Sequence, residues 1–227
     1  MRYDRQRLFL GEKNQKKLEK STVTVVGIGA LGGVAADLLA RSGVNLILVD
    51  RDLIDETNLQ RQTLFNEKDL GKMKAEEAEK KLREVNSKIK IKSHSRELNK
   101  DNINIIKSDL VLDCVDNVKT KMLLNDYAVK NKIPMVHGAA IREVGTIFNV
   151  MPGGPCLRCI YKDKINTETC ATVGVLNTLT TTIGSMQAME AIKILTGEKY
   201  ERDLLRINIW KNTITRIKIK KDKECVC

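Results

Sequence analysis

The stretch "TVTVVGIGALGGVAADLLARSGV", residues 22–44, decides the fold class of this chain. A run of β-branched residues leads into a glycine turn and then into apolar residues at helical spacing, which predicts a buried strand, a tight turn and a helix. Gly27, Gly29 and Gly32 have G-x-G-x-x-G spacing, and the next strand, "NLILVD", ends at Asp50. Such a unit binds nucleotide phosphates at the helix N-terminus and a ribose hydroxyl at the strand-end carboxylate. Glycines that only pack the helix against the strand are the alternative.

Beyond this unit, strands and helices alternate along the chain. The segments "IKIKSHS", "DLVLDC" and "PMVHGA" are predicted strands, and "KMKAEEAEKKLREVN" and "KTKMLLNDYAVKN" are predicted helices. This alternation predicts a Rossmann-like, doubly wound and mostly parallel sheet with helices on both faces. A long helix that ends at Gly197 and the pair "LLRINIW" and "TITRIKIK" then extend it with antiparallel strands. We expect a single domain over residues 1–227, with an N-terminal arm at 1–20, a nucleotide-binding half at 21–145 and a second half at 146–227.

The charge and composition restrict the partners and the compartment. The formal net charge is +11, but the lysines alternate with glutamates or β-branched residues, as on solvated helix faces and exposed strands, and aromatic residues are few. Nucleic acid is therefore not favoured as a partner. The apolar runs are shorter than the roughly 20 residues of a membrane span, and the N-terminal segment lacks the apolar core of a signal peptide. We expect a cytoplasmic protein that does not bind membranes.

Six cysteines in such a chain point to thiols or metal ligands, because disulfides do not persist in a reducing compartment. Cys156 and Cys159 lie at knuckle spacing in the predicted turn "PGGPCLRC", and Cys225 and Cys227 lie in "CVC". Four thiolates form a closed tetrahedral zinc site with no open position for chemistry. The sequence therefore predicts a structural zinc knuckle with four cysteine ligands, with loose surface thiols as the alternative, and it assigns Cys114 to the core.

The stretch that follows the second strand is unusually polar for a dinucleotide-binding fold. An enzyme that uses a nicotinamide cofactor has no need of several cations there, whereas cleavage between the α- and β-phosphates of a triphosphate requires charge neutralisation. Each polar residue taken alone would be interpreted as an ordinary surface group, and together they predict a triphosphate site. These residues are Asn58, Arg61, Gln62, Lys72 and Lys74.

The segment "DLVLDCVDN" places further polar groups at the carboxyl end of a central strand, where doubly wound sheets bind their ligands. These groups are Asp113, Asp116 and Asn117. Asp116 can hold magnesium there, and an N-cap of the following helix is the alternative role for this residue. His94 and His137 look like strand residues, and neither is predicted to be a ligand or a base.

Eight motifs follow one another in this chain: "RYDRQ", "GIGALGG", "NLQRQTL", "GKMKAE", "DCVDN", "HGAAI", "PCLRC" and "GSMQAMEAIK". In these motifs and their order, over nearly its whole length, the chain resembles the ThiF/MoeB/HesA family, the bacterial and archaeal relatives of ubiquitin-activating enzymes. The resemblance implies ATP- and magnesium-dependent adenylation of the C-terminal glycine of a small ubiquitin-like sulfur-carrier protein that ends in Gly-Gly. A separate sulfur donor protein would later convert the adenylate to a thiocarboxylate.

Carried onto this chain, the resemblance also implies roles for individual residues. Arg61 and Lys74 would stabilise the transition state, and Asp116 would bind magnesium. Arg5 would reach the ATP site of the neighbouring subunit in a symmetric homodimer. Cys170 matches the position where thiamine-type members form a persulfide-linked or acyl bond with their carrier. The full set of expected nucleotide contacts is Gly27, Gly29, Gly32, Asp50, Asp52, Asn58, Arg61, Gln62, Lys74, Asp116 and Asn117.

Three functions from different classes remain open at this point. Adenylation of a carrier protein is favoured by Arg61, Lys74 and Asp116 together, and under it residues 146–227 form the carrier-binding and zinc half. An NAD(P)-dependent oxidoreductase is supported only by the glycine turn and Asp50. A zinc-stabilised basic binding module without catalysis would bind nucleic acid with a steep salt dependence. The pathway of the carrier stays open among molybdopterin, thiamine, tRNA thiolation and protein tagging.

Overall fold

The computed structural model describes residues 2–161, 173–222, 224 and 225. The strands within these residues are β1 Thr22–Val26, β2 Asn45–Val49, β3 Ile91–His94, β4 Leu110–Asp113, β5 Met135–Ile141, β6 Val144–Val150, β7 Leu204–Asn208 and β8 Thr213–Ile217. They form one eight-stranded sheet in the order β3-β2-β1-β4-β5-β6-β7-β8. Neighbouring strands are parallel from β3 to β5 and antiparallel from β5 to β8. The expected parallel sheet with an antiparallel extension is confirmed.

The described helices are α1 Asp4–Lys20, α2 Ala30–Ser42, α3 Glu56–Leu59, α4 Lys74–Val85, α5 Val118–Asn131, α6 Leu157–Tyr161 and α7 Asn177–Thr196, with short 3-10 helices at Glu67–Asp69 and Ile103–Ile105. Helix α1 forms most of the expected N-terminal arm and is broken at Gly11. Helix α7 ends at Gly197 as predicted, because a left-handed residue with φ of 80° stops the helix there. Among the described helices, none combines the length and the apolar content that crossing a bilayer needs.

Helices cover both faces of the sheet. On one face, α2, α4 and α7 bury apolar side chains such as Leu39, Leu82 and Ile183. On the opposite face, α5 and α6 bury residues such as Leu124 and Leu157. Strands that are covered on both faces are buried at successive positions, as residues 23–26 of β1 and all four residues of β4 are, and most of these residues are apolar. The doubly wound arrangement predicted from the sequence is confirmed.

Helix α7 joins the C-terminal half of the chain to its N-terminal half. It lies so close to α2 that a Cβ on Gly184 would be 2.6 Å from the carbonyl oxygen of Leu31. The buried side chain of Gln187 donates from Nε2 to the carbonyl oxygens of Asp113, at 3.0 Å, and Val136, at 3.2 Å. One amide thereby ties β4 to β5, close to the edge of the sheet that carries the candidate site.

Candidate nucleotide site and cysteine cluster

The glycine turn lies where the strand order of the sheet reverses. Strand β1 pairs with β2 on one side and with β4 on the other, and doubly wound sheets bind ligands outside the carboxyl ends of such strands. Gly27 has a φ of 87°, and a Cβ there would lie 2.7 Å from the carbonyl oxygen of Cys114. A Cβ at Gly32 would lie 1.9 Å from the carbonyl oxygen of Gly27. Packing by itself therefore requires glycine at these two positions, as the alternative interpretation proposed, and their predicted contacts with a nucleotide stay predictions.

Gly29 differs from the other two glycines because it has room in front of it. The nearest atom to a Cβ there would be the side-chain Nε2 of Gln62, at 3.5 Å. Gly29 is also the N-cap of α2, and no side chain hydrogen bonds to this end of the helix within the described residues. The first N–H groups of a helix lack acceptors within the helix, and together they attract an anion. The turn can therefore hold a phosphate group.

Asp50 connects the glycine turn to the end of β2. Its Oδ2 accepts a hydrogen bond from the backbone N–H of Ile28 at 2.6 Å, and its Oδ1 accepts one from the backbone N–H of Asp52 at 2.8 Å. Burial raises the pKa of Asp50 above its ordinary value, against the opposite effect of these N–H groups and of Lys74. Each carboxylate oxygen keeps a second lone pair, so Asp50 can also accept from a ribose hydroxyl.

The two lysines of "GKMK" have different surroundings. Lys74 is only 5% exposed, and its Nζ lies 3.3 Å from Oδ2 of the exposed Asp52. Nζ of Lys72 instead forms ion pairs with Asp69 at 3.5 Å and with Glu77 at 3.6 Å. These ion pairs hold the Lys72 ammonium away from Asp52. Lys74 is thus the lysine of this pair that lies at the candidate site, where its ammonium is paired with a solvent-facing carboxylate.

Arg61 and Asn58 are held by the short helix α3. Arg61 is half-buried, and its Nη1 donates to the carbonyl oxygen of Thr57 at 2.9 Å. Asn58 accepts from the backbone N–H of Asp55 at 3.4 Å and completes the capping box of this helix. The guanidinium keeps further N–H groups beyond the one that Thr57 accepts, since arginine has five. Arg61 can therefore bind a phosphate oxygen while it keeps its hydrogen bond to Thr57 of α3.

Gln62 carries a buried polar atom that lacks a partner. The side chain is 5% exposed, and its Oε1 has no hydrogen-bond partner among the described residues. A buried polar group in that state costs about 1–3 kcal/mol, and such groups in native proteins usually mark a ligand or water position. Because Gln62 lies against Gly29, this amide lies beside the glycine turn. The residues at this site therefore fit a polar ligand such as a nucleotide.

The turn between β4 and α5 corrects one interpretation of the sequence. The N-cap of α5 is Asn117, whose Oδ1 accepts from the backbone N–H of Thr120 at 2.8 Å, and not Asp116. Asp116 is exposed and makes no hydrogen bond or ion pair within the described part of the chain. Magnesium is usually bound by one or two carboxylates together with phosphate oxygens and water. The carboxylate of Asp116 is available for that role.

A network of buried polar residues lies beside this turn, and it corrects the expectation that Asp113 faces a ligand, because Asp113 is fully buried. Asp113, the last residue of β4, hydrogen bonds to Lys121 of α5 and to His137 of β5, and His137 contacts Tyr161 of α6. The prediction that His94 and His137 lie in strands is confirmed. Asp113 and His137 become neighbours only through the register of β4 and β5, which the sequence does not reveal.

Arg5 lies far from the glycine turn of its own chain. It is an exposed residue in the first turn of α1, two residues after Tyr3. The hydroxyl of Tyr3 accepts a hydrogen bond from Asn86 at 2.8 Å and lies against Gly43, which ends α2. The glycine turn is at the other end of this 13-residue helix, about 20 Å away at 1.5 Å per residue. An arginine side chain is much shorter than that, so Arg5 does not contribute to the site of its own chain.

Three of the four predicted metal ligands lie together. The sulfur atoms of Cys156, Cys159 and Cys225 are within 4.8 Å of one another, and the pair formed by Cys156 and Cys225 is 3.5 Å apart. That separation is too long for a disulfide, whose bond is about 2.05 Å. It is close to the spacing of about 3.8 Å between thiolates around tetrahedral zinc with Zn–S bonds of about 2.3 Å. The cluster therefore fits a metal ion.

The surroundings of the cluster add one correction to the predicted turn. Cys159 lies inside the short helix α6, whereas the sequence predicted a turn for the whole knuckle. The backbone N–H of Asp222 donates to the sulfur of Cys159 at 3.5 Å, as N–H groups do around metal-bound thiolates. Cys114 is half-buried, packs against the core and donates to Gln187, in agreement with its predicted core role. Cys170 and Cys227 lie outside the described residues.

Comparisons with known proteins agree with this geometry. The sequence model of the ThiF family matches residues 3–227. The chain is 36% identical over 235 positions to the sulfur carrier protein ThiS adenylyltransferase of Bacillus subtilis, covering 100% of this chain and 70% of that protein. It is 43% identical over 206 positions to the adenylyltransferase and sulfurtransferase MOCS3 of Drosophila willistoni, but that match covers 86% of this chain and only 45% of the relative. The fold resembles Escherichia coli MccB, solved with ATP, with a TM-score of 0.87 at 22% identity over 99% of this chain and 73% of that one.

Proposed function

This chain belongs to the ThiF family, and on that basis we propose that it adenylates the C-terminal glycine of a small ubiquitin-like sulfur-carrier protein, using ATP. The names of two relatives support the reaction, since both are adenylyltransferases and one of them acts on the carrier ThiS. One structural observation carries the proposal. A helix N-terminus open to an anion, the nearly buried Lys74 and the carboxylate of Asp116, which is unpaired within the described residues, all lie at the carboxyl edge of the same sheet.

In the proposed reaction, a carboxylate oxygen of the carrier's last glycine attacks the α-phosphorus of ATP. The bond from this phosphorus to the oxygen that bridges to the β-phosphate breaks, and pyrophosphate leaves with the bonding electrons. The products are a mixed anhydride of carrier and AMP, and pyrophosphate. Negative charge increases on the phosphoryl oxygens and the leaving group, so Arg61 and Lys74 would stabilise the transition state. The N–H groups that follow Gly29 would bind a phosphate, and Asp50 a ribose hydroxyl.

Magnesium and zinc would have separate roles. Asp116 would hold magnesium together with phosphate oxygens, and the ion would supply charge neutralisation for the leaving pyrophosphate. The Cys156, Cys159 and Cys225 cluster, with Cys227 as the fourth ligand, would hold a structural zinc. The remaining expected nucleotide contacts stay predictions, namely Gly27, Gly32, Asp52, Asn58, Gln62 and Asn117. A covalent role for Cys170 also stays a prediction.

The two alternatives from the sequence explain less of the site. An NAD(P)-dependent oxidoreductase would use the glycine turn and Asp50 but leaves the half-buried Arg61 and the nearly buried Lys74 without a function. Beside the glycine turn, the buried side-chain oxygen of Gln62 has no hydrogen-bond partner among the described residues. A basic binding module gives no reason for such a group. Adenylation accounts for all of these features with one ligand.

The partners follow from the same proposal. We expect a carrier that ends in Gly-Gly, bound by residues 146–227, and a separate protein that donates sulfur. A symmetric homodimer is supported by the position of Arg5, which is exposed at the end of α2 that lies opposite the glycine turn. In a two-fold dimer, the arm of each subunit can serve the site of the other. A cytoplasmic location and the choice of pathway stay predictions.

Isotope exchange between pyrophosphate and ATP tests the proposed reaction. Label is expected to enter ATP only when a carrier is present, because the carrier supplies the attacking carboxylate. The probe is the small ubiquitin-like protein ending in Gly-Gly that co-purifies with the chain, and the matched control is the same protein without its last two glycines. Pyrophosphate exchange at the same rate without a carrier, or with the truncated carrier, would refute the proposed mechanism.

Zinc binding has a separate test. The purified chain is expected to contain about one zinc ion per molecule by elemental analysis, because clustered thiolates hold this ion tightly. Cys156→Ser should remove most of the zinc and lower the Tm by about 4–8 °C, the shift that a loss of about 2 kcal/mol gives for a chain of this size. Cys114→Ser is the control, since this thiol lies outside the cluster. Equal melting of both variants, together with a metal-free wild type, would contradict the zinc assignment.

A further inference from the structure

A continuous chain of buried hydrogen bonds links α6 to the turn that carries Asp116. The hydroxyl of Tyr161 lies 3.2 Å from Nε2 of His137, and Nδ1 of His137 lies 2.7 Å from Oδ2 of Asp113. The same Oδ2 accepts from Nζ of Lys121 at 3.1 Å. Asp113, Lys121 and His137 are all nearly inaccessible to solvent. The four side chains come from four different elements, β4, α5, β5 and α6, and none belongs to the expected nucleotide contacts.

The protonation states define which group donates and which accepts in each hydrogen bond of this network. Burial would raise the pKa of Asp113, but Lys121 and His137 hold it below its ordinary value, so the carboxylate is ionised at neutral pH. Burial and the neighbouring Lys121 lower the pKa of His137, so its ring is neutral. Burial also raises the pKa of Tyr161 to about 12, so its hydroxyl keeps its proton. His137 can therefore donate from Nδ1 to Asp113 and accept at Nε2 from Tyr161.

The network also holds the backbone of the β4–α5 turn. Nζ of Lys121 donates to the carbonyl oxygen of Val115 at 3.1 Å, and the backbone N–H of Val115 donates to Oδ1 of Asp113 at 3.3 Å. Both polar groups of Val115 are thus bonded to members of the network. Asp116 is the next residue, and its carboxylate makes no contact of its own that would orient it within the described residues. The direction of Asp116 therefore depends on how firmly Val115 is held.

Building on the proposed function, we infer that Lys121, His137 and Tyr161 are positioning residues of the nucleotide site, which act through the buried carboxylate of Asp113 on the turn that carries Asp116. Partners that orient a metal ligand typically change metal affinity by about 10–100-fold when they are removed, although they do not touch the ion. A change at Tyr161, on α6, should alter the magnesium requirement of a site on the other side of Asp113.

Tyr161→Phe tests the outer end of the hydrogen-bond network because it removes one hydroxyl and keeps the aromatic ring. The magnesium concentration for half-maximal ATP binding to the intact chain, measured by calorimetry, is expected to rise about 5-fold, near the lower end of couplings between sites. Binding at saturating magnesium should stay within about 2-fold of wild type, because the nucleotide contacts remain. Helix α6 should stay in place, since the backbone N–H of Leu157 still donates to Asn125 at 2.8 Å.

Tyr127→Phe is the matched control for this change. The hydroxyl of Tyr127 is also partly buried and donates to the carbonyl oxygen of Ile106 at 3.0 Å, but it is not part of the network. Its loss should lower stability to a similar extent and leave the magnesium requirement unchanged. If Tyr161→Phe behaves like Tyr127→Phe in the magnesium titration, Tyr161 has only a structural role and the inference is overturned.

Substitutions of Lys121 test the end of the hydrogen-bond network that lies next to the β4–α5 turn. Lys121→Met removes the bonds to Asp113 and Val115 and should raise the magnesium requirement by about 10-fold or more. Lys121→Arg should restore most of it, because a guanidinium can donate to both acceptors. In the double variant with Tyr161→Phe, the combined effect should be smaller than the product of the single effects, since both act through one carboxylate. The shared network would be contradicted if the effects on the magnesium requirement multiply in the double variant. It would also be contradicted if Lys121→Arg is as defective as Lys121→Met.

The binding measurement also separates this inference from the proposed reaction. A wild-type chain that binds magnesium and ATP but shows no pyrophosphate exchange with any carrier would refute adenylation and leave the network testable by the same titrations. A wild-type chain that exchanges pyrophosphate while Tyr161→Phe and Lys121→Met keep the normal magnesium requirement would refute only the network.

Discussion

Lys74→Ala is expected to lower the rate of carrier adenylation by about 10² to 10³, the loss seen when one preorganised group that stabilises a transition state is removed. The ammonium of Lys74 is nearly buried, so it is less screened by water than a surface charge. Its ion pair is with the solvent-facing Asp52, which leaves it able to interact with a phosphate. The rate is measured as carrier-dependent pyrophosphate exchange at saturating ATP.

Arg61→Ala is expected to have an effect of the same size, because its guanidinium keeps N–H groups that are not used by Thr57. Lys80→Ala is the matched control, since Lys80 is an exposed lysine of the same helix as Lys74. This control should change the rate by less than about 2-fold, as expected for a screened surface charge. If Lys74→Ala and Lys80→Ala give similar rates while both proteins are folded, Lys74 does not act on the transition state.

Mixing two inactive variants is expected to restore about a quarter of the wild-type activity if Arg5 acts in the neighbouring subunit. One variant is Arg5→Ala and the other is Asp116→Ala, combined in equal amounts after the subunits are dissociated and reassociated. Half of the dimers are then mixed, and one of the two sites in each mixed dimer has both residues intact. This result is motivated by the position of Arg5, two residues after Tyr3, whose hydroxyl lies at the opposite end of α2 from the glycine turn. Helix α2 is about 20 Å long.

A second mixture supplies the control for this experiment. Arg61→Ala combined with Asp116→Ala should recover nothing, because both residues lie at the nucleotide site of one chain and no mixed dimer has an intact site. Recovery near zero from the Arg5 mixture, with subunit exchange shown by a size or label difference, would mean that Arg5 has no role across a dimer interface. Equal recovery from both mixtures would mean that Arg61 and Asp116 are not parts of one site.

The strand, turn and helix of residues 22–42 could be predicted because their determinants are local. β-branched residues favour a strand, glycine permits the φ of 87° at Gly27, and apolar residues at helical spacing bury one face of α2. The end of α7 at Gly197 follows from the same kind of local rule. Even so, the sequence could not tell which glycines are required by packing and which has open space beside it. That difference depends on Cys114 and Gln62, which are distant in sequence and approach the glycines only in the fold.

The candidate site was predictable in its composition but not in its contacts. Polar residues at the ends of successive parallel strands meet at one edge of a sheet, so Asp50 and Asp116 could be assigned to the same edge. The cap of α5 was not decided by residue type, because both aspartate and asparagine are good N-caps, and only the backbone shows that Asn117 takes this role. The ion pairs that separate Lys74 from Lys72 also required the folded loop between α3 and α4.

By itself, the sequence determined the alternation of strands and helices, the glycine turn after β1 and the presence of paired thiols, because each depends on residues close together in the chain. The tertiary structure alone decided which distant groups share one buried space. It brings Cys225 to Cys156 across 69 residues and places His137 beside Asp113 through strand register. Such contacts are set by how whole elements pack, since a buried charge is stable only where another element supplies its partner. The network from Tyr161 to Lys121 exists for that reason and could not be predicted from any local pattern of residues.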